Sequence, residues 1–194
     1  GINILPDEES ERKMYYLTNN ILRSNGYRKY EISNYSKPGK ECKHNIGYWQ
    51  RKEYLGFGIG AASLYKENRY NNISDINKYI EVLTNNIKEN SINNVGNSSE
   101  VENQVNILNS IVKNLQQLTE RDRMEEFMFL GLRMMEGVSM EKFERYFGKP
   151  YMEVYGKVQK KMEDKRFLIN DNGYVKLTEF GIDLSNYVMS EFLF

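Results

Sequence analysis

The chain has 194 residues, with 27 basic and 27 acidic side chains. That length holds one large domain or two small ones, and the cancelling charge gives no electrostatic footprint for wrapping nucleic acid. No apolar run approaches the roughly 18 residues of a membrane span, and one cysteine cannot build a disulfide framework, so a cytoplasmic protein is expected. Because the chain opens at Gly1 in what resembles the middle of a structural unit, we expect a piece of a longer protein.

The first predicted element is a helix that begins at residues 5–9, where a proline and three acidic side chains suit the positive end of the helix dipole. Asn25 and Gly26 are expected to end this helix. Residues 27–33 follow as a short strand, and a helix followed at once by a strand is typical of parallel-sheet proteins.

The next stretch contains a loop, two strands and a helix. Residues 36–47 are predicted to be a loop, and residues 53–64 a strand that three glycines interrupt. Residues 68–73 are predicted to form another short strand, and a helix with one apolar face is expected over 75–87.

Residues 88–117 are polar and are predicted to join two parts of the chain, with a turn at 95–100. Part of this region is expected to be helical, because its apolar residues recur at a roughly helical period. These residues are Val101, Val105, Leu108, Val112 and Leu115.

The C-terminal part is predicted to be mainly helical. A helix over 119–135 opens with the pattern of a capping box. Helices over 139–147 and 150–165 precede a hairpin at 166–177, and a closing helix follows over 178–192. Three helices followed by a β-hairpin is the winged-helix order.

The run of residues 30–65 holds the only His, the only Cys and the only Trp of the chain, and within it His44, Asn45, Tyr48 and Trp49 form the motif H-N-x-x-Y-W. A neutral imidazole can ligate haem iron, and the two flanking rings can pack on a porphyrin face. The alternative is that the first two residues hydrogen-bond the loop while the two rings fill the core beneath it. Cys42 lies two positions before His44, but one Cys and one His make no zinc site.

The glycine-rich stretch from Gly56 to Ala62 matches neither a phosphate-binding loop nor a dinucleotide-binding fingerprint, because a strand-like segment follows it where a helix is required. Its small residues can admit a bulky cofactor, or they can simply allow close backbone packing. Both interpretations stay open.

Glu31 lies on a predicted strand beside Asn34. It is either a polar group at the carboxyl edge of a sheet, where parallel-sheet proteins bind ligands, or a partner in an ordinary salt bridge.

The winged-helix order also raises the hypothesis of nucleic-acid binding, since such a helix can enter a major groove. Five cations in residues 157–166 are offset by Glu153, Glu163 and Asp164, and the hairpin tip carries Asp171 and no cation. We therefore expect a packing module without a nucleic-acid partner.

The run YEISNYSKPGKECKHNIGYWQRKEYLGFGIGAAS resembles the oxygen-independent coproporphyrinogen III oxidase-like family of radical SAM proteins. Within that family it is most similar to the HemW-type branch of haem chaperones. Four marks of the branch stand here in order: the Y-E-I-S-N strand, the K-P-G turn, H-N-x-x-Y-W and L-G-F-G-x-G-A. Leu177-Thr178 before the last helix, and Phe192-Leu193 after it, resemble the family's C-terminal domain.

The resemblance implies an α/β fold. Residues 1–87 would be the C-terminal part of a partial TIM-like radical SAM barrel with the HNxxYW loop, 88–117 a polar join, and 118–194 a winged-helix-like α-helical C-terminal domain. The family holds its [4Fe–4S] cluster with a C-x-x-x-C-x-x-C motif that lies outside this sequence. Such a cluster needs three thiolates and this chain has one, so the chain alone cannot cleave S-adenosylmethionine reductively.

The resemblance also assigns site residues. His44 is the candidate ligand of haem iron, and Asn45, Tyr48 and Trp49 shape its surroundings.

Gly60, Ala61 and Ala62 fall where the oxidase branch lines its S-adenosylmethionine site, so they are expected at the edge of that cofactor. Two departures from the branch are Ile59, where it often has Pro, and Ala62, where it often has His.

Three functions are thus in competition. The first is a haem chaperone that passes haem to haem-requiring partner proteins, with peripheral membrane association left open. The second is an oxidase that decarboxylates coproporphyrinogen III to protoporphyrinogen IX, and the third is a winged-helix nucleic-acid binder. The HNxxYW motif favours the first, and the even charge balance disfavours the third.

Overall fold

The computed structural model describes residues 5–92 and 110–194. In chain order these residues form α1 (Glu8–Ser24), β1 (Arg28–Glu31), β2 (Asn34–Ser36), α2 (Lys43–Trp49), β3 (Ala62–Tyr65), β4 (Asn68–Asn72), α3 (Ile76–Ile92), β5 (Val112–Gln117), α4 (Glu120–Gly131), β6 (Val138–Ser139), α5 (Met140–Phe147), α6 (Tyr151–Asp164), β7 (Leu168–Asp171), β8 (Tyr174–Leu177), α7 (Glu179–Asp183) and α8 (Ser185–Ser190). They divide into two compact units. One contains the residues up to Arg51 and those from Met124 onward, and the other runs from Lys52 to Arg123.

The first unit begins with α1, and local signals set both ends of this helix. The Asp7 carboxylate accepts a hydrogen bond of 2.7 Å from the backbone N–H of Ser10, and this bond lowers the pKa of Asp7. After Asn25 the chain turns at Gly26, whose φ of +80° lies in the left-handed region. The predicted helix is confirmed.

β1 pairs on one edge with the strand that follows it and on the other with a segment about 100 residues later. On one side it pairs antiparallel with β2. On the other, the N–H of Met135 donates to the Tyr30 carbonyl (3.1 Å), and just past β1 the N–H of Ile32 donates to the Arg133 carbonyl (3.0 Å). The strand pairs formed by the described residues are all antiparallel, so the parallel pairing expected from the helix–strand order is not found in this part of the chain.

The C-terminal part of this unit has the order helix, strand, helix, helix, hairpin, and β6, β8 and β7 form a three-stranded antiparallel sheet. Ser139 caps α5 by accepting a hydrogen bond of 3.2 Å from the Lys142 N–H, and Gly148 ends that helix at a φ of +65°. The hairpin turns at Asn172 and Gly173. The predicted helices and hairpin lie here, while their assignment as a winged-helix domain stays a prediction.

Two boundaries in this part differ from the prediction. α4 ends at Gly131 instead of residue 135, because the chain then turns to reach the edge of β1. The single closing helix expected over 178–192 is two short helices, which Leu184 separates with a non-helical φ of −114°. Apolar periodicity continues across such a break, so the pattern alone does not reveal it.

The core of this unit is aromatic and lies among α4, α5, α6, α8 and the sheet. The Phe143 ring stands 5.4 Å from that of Tyr151 and 5.7 Å from that of Tyr155, centre to centre, in edge-to-face geometry. The fully buried apolar residues of this core include Met128, Leu132, Phe143, Tyr155, Met162, Val175, Val188 and Met189.

The second unit is built on an antiparallel sheet of β3, β4 and β5. Its buried apolar residues include Leu64, Ile73, Ile111 and Leu118. α3 follows β4, as predicted for residues 75–87, and the predicted strand at 68–73 is confirmed as β4.

Two stretches of the second unit differ from the prediction. Helix was expected for only part of residues 88–117, and α3 does extend into this region as far as Ile92. Val112–Gln117 is instead a strand, because hydrogen bonding to β4 overrides the helical spacing of its apolar residues. Residues 53–64 are not one strand. Only Ala62–Tyr65 is regular, preceded by a single bridge between Tyr54 and Leu64.

The remaining expectations about this region concern its middle. The turn expected at 95–100 and the apolar positions Val101, Val105 and Leu108 lie outside the described residues. The boundaries 1–87, 88–117 and 118–194 stay a prediction. Among the helices that the structure describes, none combines the length and the apolar character that crossing a membrane requires.

Candidate functional site

The HNxxYW motif lies on α2, a short helix, and not in the loop predicted for residues 36–47. The N–H of Ile46 donates to the Cys42 carbonyl (3.0 Å), and that of Gln50 donates to the Ile46 carbonyl (2.9 Å), as helical geometry requires. No side chain caps the start of α2, so the usual start signal is absent from the sequence. Gly47 inside the helix also lowers its helix propensity.

The helix places His44 and Tyr48 on one face, because residues four apart are neighbours on a helix surface. Their rings meet edge to face, with centres 4.6 Å apart and planes at 75°. His44 is exposed, and its ring nitrogens find no hydrogen-bond partner within residues 5–92 and 110–194. The alternative in which this histidine hydrogen-bonds the loop therefore has no bond to support it in the described part of the chain.

Trp49, at the last position of α2, is half-buried and lies against a guanidinium. The Arg133 guanidinium carbon stands 4.3 Å from the centre of the Trp49 ring, a cation–π contact. The indole Nε1 is buried and has no hydrogen-bond partner among the described residues. Trp49 is thus held by its ring face and not by its N–H group.

Glu31 binds the same guanidinium. This carboxylate is completely buried. One of its oxygens accepts from the Ser33 N–H (2.9 Å) and from Asn34 Nδ2 (2.6 Å), and the other accepts from Arg133 Nη2 (3.3 Å). The salt-bridge interpretation of Glu31 is confirmed.

Arg51 fixes the chain just after α2. Its backbone is in the left-handed region (φ +55°), and its side chain is almost fully buried. Nε of Arg51 donates to Glu126 Oε2 (2.8 Å), and Nη1 donates to the Tyr146 hydroxyl (3.2 Å). No sequence motif marks Arg51 or Arg133, because their partners lie far away along the chain.

The glycine-rich stretch belongs to the second unit and folds as a tight loop. The Asn72 side-chain amide donates to the carbonyls of Gly56 (3.2 Å) and Gly58 (2.8 Å), and the Gly60 N–H donates to the Ile73 carbonyl (3.0 Å). A Cβ on Gly56 would lie 2.2 Å from the Ala62 carbonyl oxygen, so only glycine fits there. The glycine-rich stretch therefore does allow close backbone packing.

The outer side of this loop is open. Gly60 and Ala62 are exposed and Ala61 is half-buried. Phe57 is 87% exposed, and Leu55 and Ile59 are exposed as well. The assignment of residues 60–62 to an S-adenosylmethionine site stays a prediction, and so does that of His44, Asn45, Tyr48 and Trp49 to a haem site. The two groups lie in different units of the chain.

A separate pocket of about 1020 Å³ lies in the first unit between α1 and α7. Tyr15, Tyr16, Lys29 and Asp183 are among its lining residues, and they bond one another: Tyr16 donates to Asp183 (2.7 Å), and Lys29 donates to Tyr15. The residues assigned to cofactors from the sequence do not line this pocket.

Comparison with known proteins matches these features to one group. The model of the HemN C-terminal domain family matches residues 118–184. The heme chaperone HemW of Lactococcus lactis is 35% identical over 193 residues, which is all of this chain and 45% of that protein. The heme chaperone HemW of Bacillus subtilis is 30% identical over 189 residues, 97% of this chain and 44% of that protein. The chain therefore spans a little under half the length of these relatives.

The fold has a counterpart of known structure. The coproporphyrinogen III oxidase HemN of Escherichia coli, described as a radical SAM enzyme, superposes with a TM-score of 0.68 at 13% identity, over 99% of this chain and 43% of that one. The fold is thus of the mixed α/β class, as the sequence predicts, and corresponds to a little under half of the HemN structure. The resemblance to HemW-type proteins is confirmed, and it extends over the whole chain.

Proposed function

We propose that this chain is the C-terminal part of a cytoplasmic haem-binding protein of the HemW type, in which the His44 imidazole ligates haem iron and haem then passes to haem-requiring partners. One observation carries the proposal. His44 is exposed on a helix whose other end is fixed, its ring nitrogens make no hydrogen bond to the described residues, and the chain is 35% identical to a heme chaperone. Such an imidazole can bind iron without breaking an existing hydrogen bond.

The exposure of His44 suits a residue that binds haem and later releases it to another protein. Haem that is taken up and handed on must reach the protein surface, so a ligand in a closed cavity would slow its release. The Tyr48 ring, edge-on to His44, restricts the directions in which the imidazole can turn. Asn45 is half-buried one position after His44, where its amide can bond a haem propionate.

The radical SAM chemistry of the family is not assigned to residues of this chain. A [4Fe–4S] cluster needs three thiolates, and the chain holds a single cysteine. Gly60 and Ala62 are exposed and small, which would let S-adenosylmethionine come close to the backbone at residues 60–62.

The chaperone interpretation fits the comparisons better than its competitors do. Relatives named as heme chaperones share 30–35% of residues over the chain, whereas the likeness to the oxidase HemN is one of fold, at 13% identity. The net charge of zero again disfavours nucleic-acid binding.

The test is a haem titration of the full-length protein, followed in the Soret band, with His44→Ala and Cys42→Ser as paired variants. Cys42 is exposed two residues before His44, so it is the obvious rival ligand, as a thiolate. We expect His44→Ala to shift the Soret maximum and to weaken binding at least tenfold, while Cys42→Ser binds as the wild type does. An unchanged spectrum and affinity in a folded His44→Ala protein would reject His44 as the ligand.

A further inference from the structure

Arg133 touches two of the sequence motifs at once. Its Nη2 lies 3.3 Å from the buried Glu31 carboxylate of the YEISN strand and 3.4 Å from the Ser33 hydroxyl, and its guanidinium carbon lies over the Trp49 ring of the HNxxYW helix. The Arg133 backbone is itself bound to this strand, through its carbonyl and the Ile32 N–H. The side chain therefore projects from a fixed point.

α2 depends on such outside contacts. A helix of seven residues is too short to be stable on its own, so packing must fix its position. The indole N–H of Trp49 makes no hydrogen bond among the described residues, so Trp49 contributes to the orientation of this end of the helix through its ring face, beside the Arg51 contacts that follow it. His44 lies five residues earlier, about 7.5 Å along the axis, so a shift of Trp49 moves His44 with it.

We propose that Arg133 is a positioning residue for the haem ligand. Its guanidinium is bound by Glu31 and contacts the Trp49 ring, and this contact fixes the orientation of the helix that carries His44. This inference rests on the proposed function. Only arginine can perform this task, because its planar group can stack on an indole and still direct its N–H groups at a carboxylate, whereas the lysine ammonium is a point charge.

The test uses Arg133→Lys in the full-length protein, with Arg145→Lys as the matched control. Lysine keeps a positive charge beside Glu31, so the variant is expected to fold. Arg145 is an exposed arginine on α5 that pairs only with the neighbouring turn of its own helix in the described structure. Two quantities are measured: hydrogen exchange of the backbone amides of residues 43–51 without haem, and the haem dissociation constant with the Soret spectrum.

We expect Arg133→Lys to speed exchange in residues 43–51 about tenfold and to raise the haem dissociation constant about tenfold, the loss that a partly buried cation–π contact predicts. Arg145→Lys should change neither quantity. If Arg133 merely neutralised Glu31, lysine would substitute for it, so wild-type exchange and affinity in Arg133→Lys would overturn the inference. If His44→Ala leaves haem binding unchanged, the proposed function fails, and the exchange measurement still decides whether Arg133 positions the helix.

Discussion

Replacing Glu31 with glutamine tests whether the buried ion pair stabilises the first unit. The amide oxygen can still accept from Ser33 and Asn34, but its NH2 group then faces Arg133 Nη2, one donor against another, at about the present 3.3 Å. Breaking a fully buried ion pair costs about 3–5 kcal/mol. Because the Arg133 side chain is 20% exposed, water can solvate part of its charge, so we expect a loss of about 3 kcal/mol, the low end of that range.

The assay is urea unfolding followed by the fluorescence of Trp49, the only tryptophan of the chain, which lies in the same unit as Glu31. With a slope of about 2 kcal/mol per molar urea, the midpoint should fall by about 1.5 M. Glu141→Gln is the matched control, since the exposed pair between Glu141 and Arg145 should contribute less than about 0.5 kcal/mol. A midpoint for Glu31→Gln within about 0.3 M of the wild type would refute the reasoning.

Two further predictions concern glycines and a helix cap. Gly181→Ala should lower the free energy of unfolding by about 3 kcal/mol or more, because the new Cβ would lie 2.0 Å from the Phe167 carbonyl oxygen. Gly156→Ala should instead stabilise α6 by up to about 1 kcal/mol, because its Cβ meets only a flexible methionine side chain. Urea midpoints check both variants, and equal shifts would contradict the expected contrast. In Thr119→Val the pKa of Asp122, now lowered first by the Thr119 hydroxyl and then by its N–H, should rise toward the ordinary value. A carboxylate whose pKa is lowered by folding stabilises the folded state above its unfolded pKa, and this stabilisation is lost as pH falls through the folded pKa. The Thr119→Val variant should therefore lose less stability in acid than the wild type does. An unchanged Asp122 titration by NMR would exclude the Thr119 hydroxyl as the cause of the lowered pKa.

Elements with local signals could be predicted from the sequence. α1 follows an aspartate cap, α5 a serine cap and a terminal glycine, and the hairpin an Asn-Gly turn, and each signal acts within a few residues of the structure it sets. The box at residues 119–122 likewise forms as predicted: the Asp122 N–H donates to Thr119 Oγ1 (3.2 Å), and the Thr119 N–H donates to Asp122 Oδ2 (2.8 Å).

Elements that depend on partners far away in the sequence could not be predicted from the sequence. β5 carries a spacing of apolar residues that suits a helix, and pairing with β4 decides otherwise. α2 lacks a cap, and contacts with residues from the C-terminal part hold it.

The site divides in the same way. The residue types of His44 and of the glycine-rich loop indicate their possible chemistry, but they do not show which residues hold α2 in place. Glu31 and Arg133 are 102 positions apart, and Arg51 and Glu126 are 75 apart. A single sequence shows that these residues carry opposite charges, but it does not show which of many such residues meet.

The unit that holds His44 is discontinuous, since the residues up to Arg51 fold with those from Met124 onward. During synthesis on the ribosome, α2 therefore emerges long before Glu126, Arg133 and Tyr146, the residues that seat it. A nascent chain that has reached only β5 would carry His44, the proposed haem ligand, on an unsupported segment. Under the proposed function, haem binding at His44 would therefore wait until the C-terminal part of the chain has been made.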